Sequence, residues 1–185
     1  AITDHDYLTP DPEVGGILHI PGVEETASPE HIVNLFAASQ KTDEAPQKVI
    51  DDILLDGGLA DIAHYWRSAS SIYVLQHLTG YQLMEIANGG MGINETAWDF
   101  LLTEGMDVWA VGVDDCHNMT SARFNKYFVE IMADELSVSA LEESLRQGNF
   151  YVRQTGAPQI TVTVSNTTVT CNSSTPMNAQ FIGKN

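Results

Sequence analysis

Short apolar runs of strand length alternate along most of this chain with segments of helical period, and several runs end in a histidine or carboxylate. Ala1-Ile2-Thr3 leads into Asp4-His5-Asp6, and an apolar stretch over 17–21 leads into Gly22-Val23-Glu24. His31 to Phe36 is rich in Ile, Val, Leu and Phe and reads as a strand buried on both faces. Leu59 to Ala63 ends at His64, Leu83 to Ile86 runs to Asn88, and Val108 to Val113 runs to Asp114-Asp115-Cys116-His117. Helices are predicted over 45–56, 70–78 and 95–104 from the spacing of apolar residues, Pro46 and the glycines that follow. Alternation of this kind points to an α/β sheet or barrel with parallel strands. In such folds functional side chains gather at the carboxyl ends of the strands.

The rest of the chain is of another kind. Tyr127 to Met132 reads as a further strand, and Ser139-Ala140-Leu141-Glu142 fits a capping box ahead of a helix. Ile160 to Val164 and Thr167 to Cys171 alternate in β-branched residues around Ser165-Asn166, which signals a hairpin. The start at Ala1 and the close on Phe181-Ile182-Gly183 read as a fragment or a processed chain.

Composition narrows the partners. With 25 Asp and Glu against 8 Lys and Arg, the formal charge is −17, and the 43% hydrophobic fraction is enough for a packed core. So acidic a chain cannot easily supply a basic face, which disfavours nucleic acid and anionic membrane as partners, while divalent cations are favoured. No apolar run approaches the ~20 residues that span a bilayer. Cys116 and Cys171 make no disulfide framework, and the Asn-x-Ser/Thr triplets at Asn94, Asn118, Asn166 and Asn172 matter only for export. The compartment stays open between secreted or periplasmic and cytoplasmic, and the oligomeric state is open too.

The strand-end set is His5, Glu24, His31, His64, Asp115 and His117. Imidazoles and carboxylates are the ligands that borderline divalent metals prefer. Asp115 and His117 are two apart and point the same way on extended backbone. His19 and His77 lack the strand-end context. Cys116 points away from its neighbours in extended backbone, which argues against a Cys–His nucleophile. There is no phosphate-binding loop, no nucleophile elbow, no dinucleotide fingerprint and no Cys-x-x-Cys pair, and Gly89, Gly90 and Gly92 read as a plain loop.

These segments resemble the PHP domain, named for polymerase and histidinol phosphatase. Ile2-Thr3-Asp4-His5-Asp6 looks like its Thr-Asp-His motif, and Pro21-Gly22-Val23-Glu24 with His31-Ile32-Val33 looks like the segment holding a metal-bridging Glu and a later His. Ala63-His64 looks like its Ala-His-Pro motif with Tyr65 in place of Pro, and Asp115-Cys116-His117 looks like its Asp-x-His. Glu85-Ile86-Ala87-Asn88 and the run from Leu141 to Tyr151 also fit. The family's first motif, a His-x-His, would lie before Ala1.

The resemblance implies a distorted (β/α)7 barrel, here without its first strand, over residues 1–153, with a small β-rich appendage over 154–185. It implies a phosphoesterase with up to three divalent ions (zinc, manganese or iron) held by His5, Glu24, His31, His64, Asp115 and His117. Glu24, His64 and Asp115 would carry catalysis and Asn88 would bind a small phosphate ester; Arg67, the nearest cation to the set in sequence, just beyond His64, is a candidate to grip a phosphate oxygen on that position alone. A metal-activated hydroxide would attack phosphorus. Two alternatives stay open: the same centre acting on a carbamate or ester, and a non-catalytic metal-binding or scaffold domain.

Overall fold

A computed structural model describes residues 1–26, 29–42, 45–67 and 72–180. In chain order its elements are β1 (Gly22–Glu25), β2 (Ile32–Leu35), α1 (Pro46–Leu55), β3 (Leu59–Ile62), α2 (Ile72–Leu75), β4 (Leu83–Asn88) and β5 (Gly92–Ile93). Then follow α3 (Thr96–Thr103), β6 (Trp109–Val113), β7 (Tyr127–Ile131), α4 (Val138–Arg146), β8 (Phe150–Gln154), β9 (Ile160–Ser165) and β10 (Thr168–Ser173).

The main sheet runs β1-β2-β3-β4, with β6 on the far side of β4 and the short β5 at its end. Only the β3–β4 and β4–β6 ladders are parallel; β1–β2, β2–β3 and β4–β5 are antiparallel. This overturns the expected (β/α)7 barrel: the sheet is mixed and open, and no closed barrel is found among the described residues. The cause lies at β2. The connection 26–31 is far shorter than the dozen or so residues of a parallel crossover, so β2 must turn back along β1. On the outer side of β1, residues 2–5 run parallel to it through bridges Ile2↔Pro21 and His5↔Glu24.

Both faces of the sheet are covered. On one, Ile32, Ala60, Ile62 and Met84 pack beneath Val49, Ile50 and Ile53 of α1, Leu75 of α2, and Ala97 and Leu101 of α3. On the other, Leu59, Leu83 and Val111 pack against Leu145 of α4, with Val129, Ile131 and Phe150 of the antiparallel β7–β8 pair, whose strands α4 connects, at their edge. Each fully buried Val, Leu, Ile or Met among them contributes about 1.5–3 kcal/mol, and the alanines less. Moving along this second face, the apolar rows give way to acids. Asp61 follows Leu59, Glu85 follows Leu83, and the register Glu24↔Val33↔Asp61 carries the row to β1. These three carboxylates are buried.

Several element boundaries differ from expectation. The stretch 17–21 is not a strand; β1 begins at Gly22, where a Cβ would lie 2.7 Å from Thr3 Cγ2. The N-cap of α4 is Ser137, whose hydroxyl accepts from Ala140 N at 3.2 Å, two residues before the expected capping box. Of the helix expected over 70–78, Ser70 and Ser71 lie outside the described residues and α2 holds four. The β9–β10 hairpin forms as expected around Asn166 and is largely exposed. Cys116 and Cys171 are both free thiols. Among the described residues no helix is long and apolar enough to cross a membrane.

Candidate metal centre

The sheet directions explain which side chains meet. β1, β3, β4 and β6 all end at the same rim, and β2, running the other way, begins there. His31, expected inside a strand, is therefore the residue just before one, and still arrives beside Glu24. His64 lies two residues past β3, Asn88 closes β4, and Asp115 and His117 follow β6. His5 is tied alongside by its bridge to Glu24, with Asp6 N donating to Glu24 O at 3.0 Å.

Glu24 is the hub. Its Oε1 stands 2.7 Å from His31 Nδ1 and 3.2 Å from His64 Nε2, and its Oε2 stands 3.8 Å from His5 Nδ1. The imidazoles crowd one another, with ring centroids 5.5 Å apart for His5 and His31 and 4.9 Å for His31 and His64. One ligand atom each from His5, Glu24 and His31 fit within 4.8 Å of one another, which suits a single divalent cation. His117 adjoins this group across 5.7 Å from the His5 ring, and its Nδ1 is 3.7 Å from Asp115 Oδ1. The donor set of nitrogens and carboxylate oxygens is what a borderline divalent metal takes.

Charge is balanced locally. Burial pushes the Glu24 carboxyl up, but hydrogen bonds from His64 and His31 and the charges of His5 and His64 outweigh it and hold the carboxyl below its ordinary value. Burial pulls His64 down; its bond to Glu24 and the charges of Glu85, Glu24 and Asp115 more than reverse that. Beneath the rim, burial pushes Asp61 well above the carboxylate range, and the charge of Glu85 adds to the rise. Burial likewise lifts Glu85 to about 7. Asp61 Oδ1, Glu85 Oε1 and His64 Nδ1 are buried without a hydrogen-bond partner. Neither acid entered the sequence-derived set, although each interrupts an apolar run.

Asp115 is held from two sides. Asn88 Nδ2 donates to its Oδ2 at 3.1 Å, and Arg123 Nη1 donates to its Oδ2 and its backbone carbonyl, both at 3.2 Å. Asn88 is fully buried and its other amide atom accepts from Gly90 N at 2.8 Å. Neighbouring Asp114 is turned away, its carboxylate accepting the backbone N–H groups of Asn125, Lys126 and Tyr127. Arg67 is exposed, and with Arg123 and His117 it lines an open cleft beside the centre. Arg123 was missed in the sequence; the signal that marks it is the Gly89-Gly90 pair. A Cβ on Gly90 would lie 2.4 Å from Arg123 Cζ.

Two of these residues sit on strained backbone. His64 has φ +23° and Asp115 φ +46°, in the left-handed region that non-glycine residues avoid. Such positions cost of order 1–3 kcal/mol each and cluster at functional sites.

Among known proteins, no family model and no curated sequence matches the chain. Its fold is similar to that of a two-domain protein from Bacteroides vulgatus containing a predicted PHP-like metal-dependent phosphoesterase. The TM-score is 0.63 at 15% identity, over 89% of this chain and 62% of that one. Likeness at this identity concerns the fold, and the chain spans less than two thirds of that protein.

Proposed function

We propose that this chain carries the divalent-metal centre of a phosphoesterase. The observation that carries the reading is Glu24, a buried carboxylate with His31 and His64 on one oxygen and His5 on the other. That arrangement lets one side chain serve two cations. His5, His31 and His64 would hold the ions around Glu24, and Asp115 and His117 would complete the set. Zinc, manganese and iron all suit these donors. The likeness in fold to a protein described as metal-dependent supports the assignment. Divalent ions bound there would lower the pKa of a coordinated water toward about 7 and offset charge on a phosphoryl oxygen.

The remaining work falls to the chain. Glu24 stays a carboxylate at neutral pH because the imidazoles hold its proton affinity down. Asn88, with both amide atoms engaged, fixes the rotamer of Asp115 and makes no contact with substrate in this reading. Asp61 and Glu85 lie buried beneath the rim, where burial favours their protonated forms.

The test is metal content by elemental analysis on protein exchanged against Mn²⁺ or Zn²⁺, with hydrolysis of phosphate monoesters and aryl carbamates measured on the same samples. At least one ion per chain, lost in Glu24→Gln, and turnover of phosphate monoesters are expected. Retention of less than one ion, or turnover of carbamates alone, would refute the assignment.

A further inference from the structure

We infer that Arg67 and Arg123 form a clamp for the dianionic head of a phosphate monoester, beside His117. The inference rests on the metal-centre reading and names its substrate class.

Cations are scarce in this chain, with 8 Lys and Arg at a net charge of −17. Most are already occupied. Lys41, Lys48, Arg146 and Arg153 pair with Asp56, Asp52, Glu142 and Glu130. Lys126 donates to Gly89 O at 3.0 Å and lies over the Tyr127 ring. The Arg67 guanidinium has no such partner among the described residues; only its backbone N–H is engaged, with His64 O at 2.8 Å. A guanidinium left unpaired amid so many carboxylates, next to a proposed metal ligand, is placed for an anion from outside.

Arg123 supplies the second arm. Its Nη1 is committed to Asp115, which leaves Nε and Nη2, and the side chain keeps 38% of its exposure. The chain makes room for it. A Cβ at Gly90 would stand 2.4 to 2.8 Å from Cζ, Nε and Nη2, so the guanidinium rests directly on that glycine. A Cβ at Gly89 would strike Asp114 O at 2.3 Å, so the adjoining turn also needs glycine. The two arginines, His117, Asn118 and Ser121 line one cleft of about 320 Å³, the size of a small ligand site.

One guanidinium is neutralised by Asp115 and the other is not, so the cleft is net positive in an otherwise negative chain. Planar guanidinium forks match the terminal oxygens of a phosphoryl group. A monoester carries a second negative charge above its pKa of about 6, which a diester lacks. A neutral carbamate would leave Arg67 unpaired, so the clamp argues for phosphate over the carbonyl alternative.

The test is calorimetric titration of the Mn²⁺-loaded chain with methyl phosphate and dimethyl phosphate, with metal content measured alongside. Wild type is expected to prefer methyl phosphate at least tenfold. Arg67→Gln, an exposed change, should weaken methyl phosphate about tenfold or more with metal content unchanged, and Arg123→Lys should weaken it through loss of the fork. Wild-type affinity in both variants, no preference between the two esters, or no binding at all would overturn the clamp and leave the metal centre standing. If wild type retains less than one ion, the centre fails instead, and the titration is repeated without metal. Binding that depends on Arg67 then upholds the clamp alone; its absence discards both.

Discussion

Replacing Glu85 with Gln removes a charge from the floor of the centre while keeping its shape. Glu85 is 2% exposed, and its Oε1 has no partner. Burial raises its carboxyl against the opposing pull of Asn88 and His64, and the net result is a rise from 4.5 to about 7. The folded chain therefore keeps a proton between pH 4.5 and 7 that the unfolded chain has released. Stability falls as pH rises through that window, and the full cost, on the order of 3 kcal/mol, is present above it. Gln cannot ionise and escapes this cost. Wild type and Glu85→Gln should match near pH 4.5 and diverge toward pH 8, where the variant unfolds roughly 6–12 °C higher. The His64 ring gains from a charged Glu85, so the advantage opens late, toward the upper end of the window. Thermal unfolding of chelator-treated protein from pH 5 to pH 8 measures it. A gain that is the same at every pH, or none at pH 8, would refute the reasoning.

Other expectations follow from the same geometry. Gly112→Ala puts a methyl 2.5 Å from Val152 Cγ1 and should cost about 1–3 kcal/mol by forcing the β7–β8 pair off β6; unchanged urea stability would show that the pair is not packed as described. Asp114→Ala strips three backbone N–H groups of their common acceptor, and a loss of roughly 2–4 kcal/mol is expected in the same assay. Saturating Mn²⁺ or Zn²⁺ should raise thermal stability by mass action, about 2.7 kcal/mol at a hundredfold excess over Kd, and Glu24→Gln should abolish the rise. A melting curve blind to metal would speak against the centre.

The candidate site was more legible in the sequence than the fold around it. Glu24, His64, Asp115 and His117 stand out because each closes or follows a short apolar run, and strand ends on one side of a sheet share a rim. The open, mixed sheet was not legible and a barrel was expected in its place, because closure depends on strand direction and local pattern is silent about direction. β2 shows this: His31 looks like part of a strand, and only the reversal of that strand explains why it faces Glu24. Arg123 is eight residues from Asp115 across an irregular loop, where no periodicity operates. Its trace is indirect, in two adjacent glycines without a phosphate-loop spacing. Asp61 and Glu85 were visible as lone acids within Leu-Ala-Asp-Ile and Leu-Met-Glu-Ile, a pattern that on a doubly covered sheet signals a buried charge rather than a solvated face.

The torsions of His64 and Asp115 set stability against chemistry. A library enriched only for resistance to heat should drift at both positions toward glycine or asparagine, which take that backbone shape at less cost. A library enriched for holding a cation should keep the imidazole and the carboxylate there. Run on the same scaffold, the two selections should part company first at residues 64 and 115 and agree across the helix-covered core.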